Sequence, residues 1–161
     1  IFSAVYLMYF ALSFGETTMD AEYRQDTANA VTAVQAYFDE HPIIPPKPAD
    51  LLAGAANEAV LDAGASRFTR SCAPCHGEQA QGLIGPNLTD DRWIHGGSVE
   101  QVFQTVAKGW PAKGMPPWGR ALRPDDLAAV VSYVRSLQGS NPPNPRAPEG
   151  DVFAAEALPG R

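Results

Sequence analysis

SCAPCH, residues 71–76, is the stretch whose reading decides the rest. It sets thiols at Cys72 and Cys75 three positions apart, with an imidazole at His76 directly after the second. The chain has no other cysteine. Cys-x-x-Cys-His is the attachment signature of a c-type haem. Two thiols can add across the two vinyl groups of one porphyrin, and the adjacent histidine then falls under the iron. A redox dithiol or half of a zinc site are the competing readings. A zinc site needs further ligands, and the only histidines outside the motif are His41 and His95. A thioredoxin-like dithiol needs a βαβ setting, and the surrounding pattern offers none.

Upstream of the motif, Leu61, Gly64, Phe68 and Cys72 recur at steps of three or four, which predicts a helix leading straight into it. Gly64 in mid-helix costs about 1 kcal/mol against alanine. It either lets another helix approach closely or is a tolerated small residue. Downstream, residues 77–91 are rich in Gly, Asn and Asp and are expected to form a loop. Ser98 then opens a helix with Gln101 in a capping-box position, Val99, Val102, Phe103 and Val106 on one side, and Gly109 at its end. Residues 109–122 are irregular, because Pro111, Pro116 and Pro117 break any helix. Pro124, Asp125 and Asp126 start a last helix that runs to about Gln138, with Leu127, Val130, Val131, Val134 and Leu137 inward.

Haem iron takes two axial ligands, and His76 supplies one. Downstream candidates for the other are Met115 and His95, with an open position as the third possibility. Met115 is favoured because it sits in a Gly- and Pro-rich loop, where helical packing gives a methionine no structural reason to be. A ligating histidine usually donates its second ring N–H to a carbonyl, and the carbonyl of Pro86 is the candidate acceptor. With both axial positions filled, the iron transfers electrons and offers substrate no site. No Ser/His/Asp set or catalytic carboxylate pair is visible.

The remaining segments read as attachments to this core. Net charge is −6, which argues against nucleic acid as a partner. Residues 57–140 hold eight acids and eight bases, whereas residues 1–56 hold seven acids and two bases. IFSAVYLMYFALSF, residues 1–14, carries no charge but is shorter than the roughly 20 residues that span a bilayer. Residues 1–15 are expected to be the C-terminal part of a transmembrane helix. Residues 16–40 form an acidic amphipathic helix with Tyr23, Ala30, Val34, Tyr37 and Phe38 on its apolar stripe. Residues 41–56 are a Pro-rich linker, extended and semi-rigid. Residues 57–140 are the haem domain. Residues 141–161 are a Pro-rich tail, too poor in large apolar residues to fold alone, and expected to lie over a partner or to move freely.

The ordered set Gly64, Phe68, CAPCH, GPNL, GMPPW and a last helix bearing Tyr133 resembles the class I cytochrome c fold. That resemblance implies an all-α domain of three to four short helices around one haem, its first and last helices crossing near Gly64, Phe68 and Tyr133. More narrowly, GPNLTDDRWIHGGS, KGMPPWG and SYVRSLQGSNPPNPRAPEGD resemble the haem subunit, subunit III, of cbb3-type haem–copper cytochrome c oxidases. Better-known members carry two Cys-x-x-Cys-His motifs, so this chain resembles a single-haem version. The resemblance implies one covalently attached haem c, its iron held by His76 and Met115, with Cys72, Cys75, Pro86, Asn87 and Trp118 contributing to its binding. It implies integral membrane oxidase subunits as partners, and an electron-donor cytochrome or quinol-oxidising complex upstream. It places the haem domain on the periplasmic side of a bacterial inner membrane, with oxygen reduction in a partner subunit. A membrane-tethered carrier serving another respiratory or photosynthetic complex, and a haem enzyme or sensor with an open iron position, are the alternatives.

Overall fold

The structure, a computed structural model, describes residues 2–13, 19–154 and 156–158. It falls into two compact units: Ile1–Pro42 together with Trp110–Pro116, and Ile43–Gly109 together with Pro117–Arg161.

The first unit contains helices α1 (Phe2–Ser13) and α2 (Met19–Glu40). The expected join between apolar segment and acidic helix, residues 14–18, lies outside the described residues. Among the described residues, no helix is long and apolar enough to cross a membrane. Asp20 and Glu22 in the first turn of α2 favour its positive end. Its apolar stripe is covered only towards the C-terminus, where Phe38 is buried while Tyr23 is exposed. The Tyr37 ring stacks on His41 at 4.5 Å just past the helix end. A tight turn at Pro111–Lys113 lies beside α2. It is closed by Trp110 and Met115, whose amides donate to each other's carbonyls at 2.8 and 3.2 Å.

In the second unit, the spacer expected over residues 41–56 is extended only to Lys47. Helix α3 (Pro48–Gly54) follows, because Pro48 falls in the first turn, where a missing N–H costs nothing. Leu51 is buried, and its carbonyl accepts from the Ser132 hydroxyl at 2.9 Å. That bond ties α3 to the last helix, α7 (Pro124–Ser136).

Helix α4 (Glu58–Ser71) is capped by Asn57 and crosses α7 closely. A methyl group at Gly64 would lie 2.2 Å from the carbonyl oxygen of Ala129 and 2.7 Å from Cβ of Tyr133. The glycine is therefore required for close approach. One turn on, Phe68 is fully buried with its ring 5.5 Å from that of Tyr133. The Arg67 guanidinium pairs with both carboxylate oxygens of Asp126, at 3.2 and 3.1 Å. Helix α6 (Val99–Lys108) begins with the capping box of Ser98 and Gln101 and buries Val99, Val102, Phe103 and Val106. Burial of a side chain such as Phe68 or Phe103 contributes about 1.5–3 kcal/mol.

The tail, expected to lie over a partner or move freely, instead folds back on its own unit. Strand β1 (Arg92–Trp93) pairs antiparallel with β2 (Asp151–Val152). Phe153 donates its amide to Asp91 at 2.8 Å, and Arg146 donates its amide to Gln81 at 2.8 Å. The Glu156 carboxylate accepts from the Val99 amide at 2.9 Å, satisfying the start of α6. The buried Arg135 guanidinium donates to the Glu156 carbonyl and to Gln138. The physical reason is polar pairing: the 77–93 loop presents backbone groups outward, and the tail supplies their partners.

Candidate functional site

Helix α4 continues through Cys72, whose amide donates to Phe68 at 2.8 Å, into a single turn, α5 (Ala73–His76). The amides of Cys75 and His76 both donate to the Cys72 carbonyl, at 3.1 and 2.9 Å. One helical turn therefore carries both thiols and the imidazole. Gly77, at φ 84°, ends it in a backbone region that side chains disfavour. The loop then doubles back on the same turn. Gly82 donates to the His76 carbonyl at 2.7 Å, and Leu83 and Gly85 donate to that of Cys75 at 3.2 and 2.9 Å.

This return brings Pro86 to the imidazole, with Nδ1 of His76 2.9 Å from the Pro86 carbonyl oxygen. A carbonyl can only accept, so Nδ1 carries the proton and Nε2 keeps its lone pair. A Cβ at Gly85 would stand 2.8 Å from Cε1 of His76, so a bare backbone packs against the ring. Burial lowers the His76 pKa, partly opposed by the Pro86 hydrogen bond, and the ring is held neutral. A neutral, oriented imidazole with a free Nε2 is what an iron ligand needs.

Burial, reinforced by Cys75, raises the Cys72 thiol to about 11. Catalytic dithiols depend on a lowered pKa, so the environment of Cys72 disfavours a redox role. Among the described residues, no group of three or more His, Cys, Asp or Glu side chains is placed to hold a metal ion, so no second half of a zinc site stands beside the two thiols. A rise from 9.0 to about 11 cuts the Cys72 thiolate near neutral pH about a hundredfold. In the haem-free chain, exposed Cys75 should therefore be alkylated first. Peptide mapping after a short iodoacetamide pulse should find Cys72 lagging at least about tenfold, and equal labelling would contradict this environment.

The other expected site residues are distributed as follows. Asn87 is buried, and its Oδ1 accepts from the amide and hydroxyl of Thr89 at 2.9 and 2.8 Å, so it fixes the turn after Pro86. Trp118 is half-buried and opens a short turn, Trp118–Arg120, packed against α6 and α7. Met115 is half-buried in the loop closed by Trp110 and belongs to the first unit. His95 is half-buried, with its pKa lowered by burial. The structure thus gathers Cys72, Cys75, His76, Pro86 and Asn87 into one knot of backbone.

Sequence reasoning missed Trp93. It packs against the cluster of Phe68, Ala73, Val130 and Val134, which Cys72 also borders. Its indole N–H is buried without a protein acceptor among the described residues. An orphaned buried donor costs roughly 1–3 kcal/mol unless a bound group accepts from it. Haem carries two carboxylates, so the residues present fit that group. The available signal was a tryptophan set in an Asp- and Gly-rich loop.

Paired thiols, an oriented neutral histidine and two closely crossing helices define a cytochrome c domain. Residues 59–134 match the family model for cbb3-type cytochrome c oxidase subunit III. The FixP subunit of a cbb3-type oxidase from Sinorhizobium medicae is 42% identical over 86 residues, 48% of this chain and 30% of that protein. The CcoP subunit from Rubrivivax gelatinosus is 37% identical over 110 residues, 67% of this chain and 33% of that protein. The CcoP subunit from Rhodobacter capsulatus is 40% identical over 96 residues, 52% of this chain and 31% of that protein. This stretch is therefore a cytochrome c domain of the cbb3-type oxidase subunit III family. The chain spans about a third of the length of these relatives.

Proposed function

We propose that this chain is a membrane-anchored, single-haem c-type cytochrome that passes electrons to a cbb3-type haem–copper oxidase as its haem c subunit. Electrons arrive from a donor cytochrome or a quinol-oxidising complex, and oxygen is reduced in a partner subunit. The anchor is the uncharged segment at residues 1–14, and the haem domain lies on the periplasmic side of a bacterial inner membrane. The lone Cys-x-x-Cys-His motif supports one haem on this chain.

Cys72 and Cys75 would hold the haem covalently, His76 and Met115 would ligate its iron, and Pro86, Asn87 and Trp118 would contribute to its binding. The haem, when bound, supplies reversible one-electron chemistry, and a thioether ligand raises its potential towards that of an oxidant. The observation that carries this reading is the His76–Pro86 hydrogen bond, which orients a neutral imidazole beside two thiols on one turn.

Replacement of Met115 by alanine tests it. The methionine-to-iron charge-transfer band should vanish and the potential should fall. A spectrum identical to the parent contradicts methionine ligation. Quantified covalent haem should come to one per chain, and any other ratio contradicts the single-haem assignment.

A further inference from the structure

The NPRAPEG stretch of the tail, residues 144–150, takes no part in holding haem as described above, yet it grips the loop that orients His76. Nη1 of Arg146 donates to the carbonyls of both Leu83 and Ile84, at 2.9 and 2.7 Å. The Arg146 amide donates to Gln81 at 2.8 Å. From the same loop, the amides of Gly82, Leu83 and Gly85 hold the carbonyls of His76 and Cys75, those of Gly82 and Gly85 in the very peptides whose carbonyls Arg146 grips. Glu149 fixes the guanidinium from behind, its carboxylate accepting from Nε at 2.8 Å. A Cβ at Gly82 would lie 2.8 Å from Cβ of Arg146, so tail and loop are in direct contact. Leu83 and Ile84 are themselves 56% and 80% exposed, so side-chain burial does little to hold this loop. Polar clamping does that work instead.

We propose that Arg146 is a positioning residue for the haem ligand: it holds residues 81–86 so that the Pro86 carbonyl stays on Nδ1 of His76, and thereby sets the electron density that the imidazole gives to iron. This rests on His76 being an axial ligand. A firm N–H to carbonyl bond makes the imidazole more basic and favours the oxidised metal. A loosened loop weakens that bond and raises the potential. Arginine suits the role because one planar cation can meet two adjacent carbonyls and still present Nε to Glu149, whereas lysine is a compact point charge.

The test is Arg146→Lys in the haem-loaded full chain, which keeps the charge and removes the fork. Its reduction potential should rise by up to about 59 mV, a tenfold change in the one-electron equilibrium. In the reduced protein, solvent exchange of the His76 Nδ1 proton, followed by NMR, should quicken at least tenfold. Should the lysine variant not accumulate with haem, Glu149→Gln carries the test, with the same directions and smaller sizes. A folded Arg146→Lys or Glu149→Gln variant with parental potential and parental Nδ1–H exchange overturns the proposal. Absence of a ligand-histidine Nδ1–H resonance from the parent protein itself overturns the underlying ligand assignment, and the two failures are thus told apart.

Discussion

Replacing Gly64 by valine should lower the stability of the haem domain by about 3 kcal/mol or more, at the upper end of overpacking penalties. The first added carbon alone would stand 2.2 Å from the Ala129 carbonyl oxygen, which is backbone and cannot swing aside. Helix propensity works the other way, since valine is a better helix former than glycine by a few tenths of a kcal/mol. A net loss must therefore come from the α4–α7 crossing. The crossing also seats Phe68 against Tyr133, one turn from Cys72. Against a typical total of 5–15 kcal/mol, such a loss should depress the melting temperature by roughly 12 °C or more and cut the yield of haem-loaded protein. The exposed neighbour Ser66, changed to alanine, should stay within about 0.5 kcal/mol of the parent. Thermal melts followed by circular dichroism decide the matter. A Gly64→Val variant that melts with the parent would mean the helices do not cross here.

His76→Ala carries the largest functional effect. It removes the one imidazole oriented by the Pro86 carbonyl and leaves that acceptor unpaired, at about 1–3 kcal/mol. Both thiols remain, so haem can stay attached while the iron loses a ligand. The ferric spectrum should change from low to high spin, carbon monoxide should bind the reduced form, and added imidazole should restore the low-spin spectrum. Electron delivery to the proposed oxidase partner should fall by more than about a hundredfold, beyond the 10–100-fold typical of removing an outer partner of a ligand. An unchanged low-spin spectrum would exclude His76 from the iron.

Local pattern made much of this molecule legible. Gly64 and Phe68 lie on one helical face, the Ser98–Gln101 box starts α6, and Pro124 with Asp125 and Asp126 starts α7. Each signal spans one or two turns, where spacing and capping chemistry decide the outcome. The Pro86 carbonyl was within reach of the same reasoning because a histidine ligand needs an acceptor and GPNL offers one nearby.

The tail escaped this reasoning because its order comes from pairing between distant segments. Arg146 meets loop carbonyls 62 and 63 positions away, and Glu156 meets Val99 57 positions away. A Pro-rich segment of low apolar content looks unable to fold, because that judgement counts hydrophobic burial and not the backbone groups another loop leaves unpaired. Helix α3 was hidden by its prolines, although Pro48 falls where a helix tolerates one. Trp93 stood out only as a tryptophan in an Asp- and Gly-rich loop, and nothing in its neighbours says that its indole N–H will be buried without an acceptor among the described residues. Tyr23 fitted the apolar stripe of α2 by spacing, yet it is 66% exposed, since periodicity shows which face is apolar and not what covers it.

The proposed role is electron delivery from a haem on this chain to an oxygen-reducing partner. The most direct measurement is made on the complex recovered from its native membranes, in mild detergent, by a tag on this chain. An oxygen pulse is given to the fully reduced sample while the c-haem absorption is followed. Copper and further haems should copurify, the c-haem should oxidise within the turnover time, and carbon monoxide should block this oxidation by occupying the partner's oxygen site. Recovery of the chain without copper, or a c-haem that stays reduced after the pulse, would contradict that role.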